Sequence, residues 1–362
     1  MLNPEDLERL LTVDDFEEVA RASLSKMAYD YYRSGADEER TLLRNRRAYR
    51  RLEIWYRVLV DVSRREASTR LLGTDVSLPV LIAPTAYHKL AHPEGEAATA
   101  RAAAGAGTLY VVSTLATSTI EEAAAASPGP KWFQLYVHKD RELTRSLVER
   151  AEASGYLALV LTVDAPLLGR RLRDERNGFA LPEGLTMSNL VPPGESPERS
   201  MLARYFASRH DASLTWDDLA WLRSITRLPL LVKGIVRPDD AERALAHGAA
   251  GVVVSNHGAR QLDGSPATIE ALPLVRAAVG PDALVLIDGG VRFGTDVLKA
   301  VALGANAVLV GRPILWGLAA GGEAGARRVL EILRGELSTA MALAGAPSLA
   351  DLGPDLVRRR PR

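Results

Sequence analysis

Cysteine is absent from this 362-residue chain. That excludes disulfides, thiolate nucleophiles, cysteine-ligated iron–sulfur clusters and cysteine-rich zinc sites. An excess of one charge is missing too, since 45 basic residues balance 45 acidic ones. Nucleic acid and anionic membrane surfaces both favour a basic excess, so neither is an expected partner. No apolar run reaches the ~18–20 residues needed to cross a bilayer. Residues 1–8 are acidic where a secretory signal would be basic, so the expectation is a soluble cytoplasmic protein. No G-x-G-x-x-G follows an apolar run, which argues against a dinucleotide site. No G-x-S-x-G supplies a hydrolase nucleophile, and no His/Asp/Glu spacing suggests a metal.

What is present is a hydrophobic fraction of 47%, enough for a sizeable core. From residue 78 onward, short apolar runs alternate with Ala-rich segments of helical period. The runs cover 80–83, 109–112, 132–137, 157–163, 230–232, 251–254, 283–287 and 307–310. They are rich in Val, Leu and Ile without polar alternation, as strands buried on both faces of a parallel sheet are. Glycine recurs where each helix should end, as in Gly105, Gly155, Gly248 and Gly304. Eight strand–helix units predict an α/β fold, a (β/α)8 TIM barrel over 78–345, ahead of a doubly wound open sheet. Residues 1–77 form an N-terminal extension, helical over 1–60 and including the segment 26–47. The whole chain, 1–362, reads as one domain. The Pro-rich stretch 181–213, after the fourth strand, reads as a lid loop or an insertion without function. The tail 358–362 reads as a frayed, solvated end rather than a basic contact site.

Active sites of such barrels sit at the C-terminal strand ends. Those ends carry Pro84-Thr85-Ala86, Ser113-Thr114-Leu115, Gln134 with Tyr136, and Thr162-Val163-Asp164 followed by Gly169-Arg170-Arg171. The later ends carry Lys233-Gly234, Ser255-Asn256-His257-Gly258-Ala259-Arg260, Asp288-Gly289-Gly290-Val291-Arg292 and Gly311-Arg312-Pro313. One buried polar residue is usually a satisfied core group, but polar residues at nearly every end imply a ligand. Glycines 289 and 290 let backbone N–H groups approach a phosphate, and Arg292 and Arg312 add charged donors. A phosphate-bearing cofactor smaller than a dinucleotide is favoured. Of the six histidines, His257 alone closes a strand in such a turn. His88 follows the first strand more loosely and is placed at the site entrance. His92, His138, His210 and His247 read as ordinary helix or loop residues.

The segment Ser255-Asn256-His257-Gly258-Ala259-Arg260-Gln261-Leu262-Asp263 resembles the signature of the FMN-dependent L-2-hydroxy-acid oxidases and dehydrogenases. The resemblance spans nearly the whole chain and includes Tyr29-Asp30-Tyr31-Tyr32-Arg33-Ser34-Gly35-Ala36, Phe133-Gln134-Leu135-Tyr136 and Asp288-Gly289-Gly290-Val291-Arg292. It implies oxidation of a 2-hydroxy acid to a 2-oxo acid, with oxygen as acceptor and hydrogen peroxide as product. It implies His257 as the base with Asp164 beside it, and Tyr31, Arg171 and Arg260 on the substrate carboxylate, with Tyr136 near the reacting hydroxyl. FMN would rest on Pro84, Thr85, Ala86, Ser113, Gln134, Thr162, Lys233 and Ser255. Its phosphate would meet Asp288, Gly289, Gly290, Arg292, Gly311 and Arg312. A homo-oligomer, tetramer or larger, is implied as well. Other FMN or phosphate-binding barrels fit less well. Inosine monophosphate dehydrogenase needs a cysteine, and type 2 isopentenyl diphosphate isomerase lacks the His257 turn.

The chain departs from glycolate oxidase at Leu115, where that enzyme has tryptophan, and at Tyr87 and His88, where it has methionine and glutamine. Leu167 replaces an arginine. Leu115 and Tyr87, with Gly169-Arg170-Arg171-Leu172-Arg173-Asp174 and Arg176-Asn177-Gly178-Phe179-Ala180-Leu181-Pro182, resemble bacterial hydroxymandelate oxidases. Leu115 and Tyr87 are therefore expected to border the substrate, which leans to aryl or medium-chain acids, or lactate, over glycolate.

Overall fold

The computed structural model describes residues 1–190 and 208–360. Four helices open the chain: α1 (Pro4–Glu8), α2 (Val13–Ser23), α3 (Lys26–Arg33) and α4 (Arg40–Arg50). The start of α2 is fixed by a capping box, in which Thr12 and Asp15 satisfy each other's backbone N–H. Its apolar face, Val13, Phe16 and Ala20, is buried. The helical stretch expected over 26–47 is broken at 34–39. There Ala36 N–H donates to Ala259 O at 2.8 Å, and a Cβ on Gly35 would lie 3.0 Å from that same oxygen. A helix continued through this point could not bring its backbone so close.

Strand β1 (Leu52–Ile54) and the hairpin β2 (Thr69–Leu71) with β3 (Thr74–Val76) precede the barrel. The barrel strands are β4 (Val80–Ile82), β5 (Tyr110–Ser113), β6 (Lys131–Leu135), β7 (Leu159–Thr162), β8 (Leu230–Ile235), β9 (Gly251–Val254), β10 (Leu284–Asp288) and β11 (Ala307–Val310). All eight apolar runs become strands. They pair in parallel, each with its neighbour in sequence, and β11 closes on β4. The fold is a (β/α)8 barrel.

Alternation along each strand divides the core into two layers. Leu81, Val111, Trp132, Val160, Leu231, Val253, Leu286 and Leu309 point inward and fill the barrel. Leu71 and Val76 of the hairpin join that cluster and close the end away from the site. Ile82, Val112, Phe133, Leu161 and Val254 face the helical ring instead. Each fully buried side chain of this kind contributes roughly 1.5–3 kcal/mol.

The expectation for the tail needs correcting. Its described part, 358–360, is not frayed: β12 (Val357–Arg359) pairs antiparallel with β1, and Arg360 N–H donates to Arg51 O at 2.8 Å. Arg358 lies over the Trp55 ring at 3.7 Å, and Arg360 binds Glu53 at 3.0 Å. Pairing partners more than 300 residues upstream leave no signal within a five-residue window. The lid expected over 181–213 lies partly outside the described residues, at 191–207. Its described beginning is packed. Met187 and Leu190 are buried, and Asn189 Oδ1 accepts from the N–H of Ile120 at 2.9 Å.

Candidate active site

His257 stands where β9 leaves the barrel, on a turn with an unusual backbone. His257, Gly258 and Ala259 are all left-handed, with φ of 58°, 61° and 63°. Two of these are not glycine, and each L side chain in that region costs about 1–2 kcal/mol. His257 N–H donates to Ser255 Oγ at 3.1 Å, and Ala259 N–H to Asn256 Oδ1 at 3.1 Å. The turn presents the imidazole to a cavity at the C-terminal end of the barrel. Its Nδ1 lies 2.8 Å from Asp164 Oδ1. Asp164 follows β7 and occupies the space above Gly234, where a Cβ would come within 2.6 Å of the Asp164 Cβ. With φ at 112°, Gly234 could not readily be anything else.

The charges around this pair oppose one another. Burial pushes the His257 pKa down from histidine's ordinary value, and Asp164 offsets only part of that. Burial also works against the Asp164 carboxylate, but His257 and Lys233 outweigh it and hold Asp164 below its usual range. The favoured state is a neutral imidazole beside an ionised carboxylate. The carboxylate fixes Nδ1 as the protonated nitrogen and leaves Nε2 with a lone pair.

Two arginines border the cavity with His257. Arg171 precedes the helix Leu172–Asn177 and is buried, which lowers its pKa to about 10, with Arg260 adding to the effect. Its nearest carboxylate, Asp174, is 3.9 Å away. Arg260 uses Nη1 on Tyr31 O (2.6 Å) and Ser34 O (3.0 Å), and its guanidinium carbon lies 4.8 Å from the Tyr31 ring centroid. Tyr31, brought in by α3, and Tyr136, just past β6, complete this wall. Burial raises the pKa of both phenols, so each is a neutral O–H group. Two cationic forks, two hydroxyls and a neutral imidazole meet in one place.

The rest of the cavity is long and changes character along its length. Pro84, Thr85, Ala86, Ser113, Gln134, Thr162 and Lys233 line the middle. Gln134 is held on both sides, accepting from Ser113 Oγ at 3.2 Å and donating to Thr162 Oγ1 at 3.1 Å. Lys233 Nζ donates to Ser255 Oγ at 3.1 Å and lies 3.4 Å from Asp288 Oδ2. Burial alone would lower its pKa, but Asp288 and Asp164 raise it, so the ammonium is retained. Asp288, Gly289, Gly290, Arg292, Gly311 and Arg312 line the far end. Gly290 has φ of 90°, and a Cβ there would lie 2.5 Å from Asn45 O.

This end fits a phosphate and a polyol. The buried Arg292 Nε has no hydrogen-bond partner among the described residues, its nearest carboxylate being Asp14 at 3.6 Å. Asp288 Oδ1 is likewise buried and unsatisfied. A buried guanidinium beside cavity-lining glycine backbone suits an anion, and a lone carboxylate oxygen suits a hydroxyl donor.

A family model described as FMN-dependent dehydrogenase matches residues 20–359. The chain belongs to this family. FMN is its cofactor, and the protein is an FMN-dependent oxidoreductase. It is 54% identical over 347 residues to an L-lactate oxidase of Nostoc sp., covering 93% of this chain and 95% of that protein. It is 51% identical to glycolate oxidase 3 of Arabidopsis thaliana, covering 95% of this chain and 94% of that one. Among solved structures, mandelate oxidase with (S)-4-hydroxymandelic acid superposes with a TM-score of 0.91 at 44% identity, over 97% of this chain and 98% of that one. A mutant of the active chimera of (S)-mandelate dehydrogenase also gives 0.91, at 41% identity over 97% and 99% of the two chains.

Most residues singled out from the family resemblance line this cavity, and a few stand one layer behind it. Ser255 and Asp164 act on lining residues through hydrogen bonds. Leu115 is on the cavity wall. Tyr87 is fully buried, with its ring 5.5 Å from that of Tyr31. His88 is not at the entrance. It is completely buried, Nε2 2.6 Å from Thr85 Oγ1 and Nδ1 2.9 Å from Thr99 Oγ1, because the chain turns inward directly after Tyr87. Arg312 lines the phosphate end but also donates to Tyr32 O, Ser34 O and Gly258 O, bracing α3 against the His257 turn. The motifs did not reveal Asn45, Asp174 or the role of Gln261. Gln261 donates to Asp164 O and Leu167 O and accepts from Gly169 N–H, so it holds the 164–171 loop. Its place within the His257 signature was the one available hint.

Among the described residues, no group of three His, Asp or Glu side chains could hold a metal ion, and no helix is long and apolar enough to cross a membrane.

Proposed function

We propose that the protein oxidises the α-carbon of an L-2-hydroxy acid to a 2-oxo acid, with oxygen as the final acceptor and hydrogen peroxide as product. The observation that carries this reading is the His257–Asp164 pair at 2.8 Å, opening on a cavity that both Arg171 and Arg260 border. The arginines bind the substrate carboxylate with paired hydrogen bonds and so fix its α-carbon. Tyr31 and Tyr136 donate to carboxylate or hydroxyl oxygens. His257 Nε2 takes the proton released at the substrate, and Asp164 stabilises the imidazolium that forms. FMN, when bound, accepts the two electrons that leave with the α-hydrogen. Lys233 and the Gln134 network would hold its ring system, and Gly289, Gly290, Arg292 and Arg312 its phosphate. Lys233 beside the ring would favour negative charge on it.

The substrate side of this reading leans to an aryl or medium-chain acid, or lactate, over glycolate. Leu115 and Leu168 make that wall apolar. Behind it Tyr31, Phe179 and Tyr87 form an aromatic stack, Tyr31 and Phe179 lying 4.2 Å apart at 12°. Homologues named for lactate and glycolate, and structural neighbours solved with mandelate-type ligands, bracket this range.

Residues 1–362 act as one FMN-binding unit in this reading, since the extension supplies Tyr31 to the site. The protein works in the cytoplasm as a homo-oligomer, tetramer or larger. Support for self-association comes from Trp55, Tyr56, Val58 and Leu59, four large apolar side chains on either side of Arg57 that are 51–103% exposed. The deciding experiment is anaerobic mixing of the holoenzyme with a panel of 2-hydroxy acids, followed by peroxide detection in air. The reading requires bleaching of the visible flavin band by (S)-mandelate or L-lactate, then peroxide. No bleaching by any 2-hydroxy acid would overturn it.

A further inference from the structure

The left-handed turn that carries His257 is held mainly from outside the barrel. Asn256 makes four hydrogen bonds with its side chain. Oδ1 accepts from Ala259 N–H at 3.1 Å and from Asn45 Nδ2 at 3.0 Å. Nδ2 donates to Asn45 Oδ1 at 2.9 Å and to Pro266 O at 3.0 Å. Asn45 and Asn256 thus form a reciprocal amide pair, and both are buried, at 2% and 6% exposure. Rotation of the Asn256 side chain breaks its two bonds to Asn45 and removes the side-chain acceptor of Ala259 N–H, which then keeps only the Asn256 carbonyl at 2.9 Å.

Asn45 lies on α4, 211 positions from Asn256. It meets a second part of the site. A Cβ on Gly289 would lie 3.1 Å from Asn45 Nδ2, and one on Gly290 2.5 Å from Asn45 O. One residue therefore abuts both the turn bearing the base and the glycine loop that lines the phosphate end of the cavity.

We propose that Asn45 is a positioning residue that registers the His257 turn against the Gly289–Gly290 loop, so that the base and the cofactor phosphate site are held in one frame. The proposal rests on His257 being the base. Its physical content is that His257 and Ala259 occupy a backbone region that L residues rarely adopt, and remain there because the amide pair holds Asn256. Without Asn45 the turn relaxes, and Nδ1 of His257 loses its fixed relation to Asp164. The charged and titratable groups facing His257 are Asp164, Lys233 and Arg171, with Arg260, Tyr31 and Tyr136 across the cavity. Asp164 alone favours the imidazolium by contact, so a loosened turn shifts the basic form of His257 to lower pH.

The test compares Asn45→Ala and the near-isosteric Asn45→Asp with the unmutated holoenzyme, each also in an Ala259→Gly background. Asn45→Asp keeps the acceptor for Asn256 Nδ2 but has no N–H for Asn256 Oδ1, so it answers the question if the alanine variant fails to fold. At saturating FMN, kcat should fall roughly 10- to 100-fold, as expected when a reacting group is misplaced by about 1 Å. The rising limb of kcat/KM against pH should move to lower pH, and the Kd for FMN, titrated into apoprotein, should rise. Glycine at 259 adopts the left-handed conformation without strain, so the kcat loss should be clearly smaller in that background, a coupling that a double-mutant cycle reads directly. Unchanged kcat and pH limb in both variants would overturn the proposal. So would a kcat loss of the same size in the Ala259→Gly background, since Asn45 would then act through general stability. His257→Ala is run in parallel. If that variant stays fully active, the base assignment falls and this inference with it. If it is inactive while the Asn45 variants behave normally, only the inference falls.

Discussion

Asp164 Oδ1 and His257 Nδ1 are 2.8 Å apart although 93 positions separate them in the chain. The contact sets the tautomer of the base and opposes the burial that lowers its pKa. A base must be neutral to work, so kcat/KM should rise with pH through the His257 pKa, with its midpoint below histidine's ordinary value. Removing the carboxylate's charge removes the one contact that favours the imidazolium. In Asp164→Asn the limb should therefore move to still lower pH, by roughly 1 unit or more, with kcat reduced. A pH profile of kcat/KM checks this, and an unmoved limb would show that the pair is not coupled.

His257→Ala should retain FMN, because the imidazole makes none of the contacts that hold Gln134, Lys233 or the glycine loop in place. Turnover should drop by ~10²–10⁴-fold. Flavin absorbance and steady-state rates measured on the same preparation separate the two effects.

The two arginines should respond differently to replacement. Arg171→Met removes a buried guanidinium whose nearest carboxylate is 3.9 Å away and whose bonds to Arg260 O (3.3 Å) and Gln261 Oε1 (3.4 Å) are long, so KM for the acid should rise strongly while Tm falls less than in the Arg260 variant. Loss of one partner from a desolvated charge pair costs about 2–5 kcal/mol. Arg260→Met should raise KM as well, but it also frees Tyr31 O and Ser34 O, so its Tm should fall. Parallel kinetics and thermal melts distinguish them. A flat KM in both variants would place the carboxylate elsewhere.

Gly290→Ala should weaken FMN binding by ~10-fold or more, equivalent to about 1.4 kcal/mol. The added Cβ would sit 2.5 Å from the Asn45 carbonyl at a φ of 90°, so the loop must shift. Fluorescence titration of apoprotein with FMN measures the change. Wild-type affinity would mean the phosphate does not use this loop.

Leu115→Trp should narrow the substrate range. Each buried methylene is worth ~0.8 kcal/mol, so an apolar wall lets aryl or longer acids outperform glycolate in kcat/KM. The indole should reduce or reverse that order. Glycolate emerging as the best substrate of the unmutated enzyme would contradict the reading.

The sequence by itself determined the strand set and the barrel, and it named many of the residues that line the cavity. Runs such as 251–254 and 307–310 carry their burial in their own composition, because a strand covered on both faces must be apolar throughout. The polar residues at their ends are local in the same sense. Only the tertiary structure decided which of those ends touch. It paired Asn45 with Asn256 and the C-terminal strand with β1, and it buried His88 between two threonines, whereas the Asp164–His257 pair was expected from the family resemblance alone. It also set His257 and Ala259 in left-handed conformations that no residue type at those positions announces. Closing a barrel brings together side chains from distant strands, and the energies that choose each pair arise only once it is closed. Periodicity reports whether a residue is buried, and says nothing of what it is buried against.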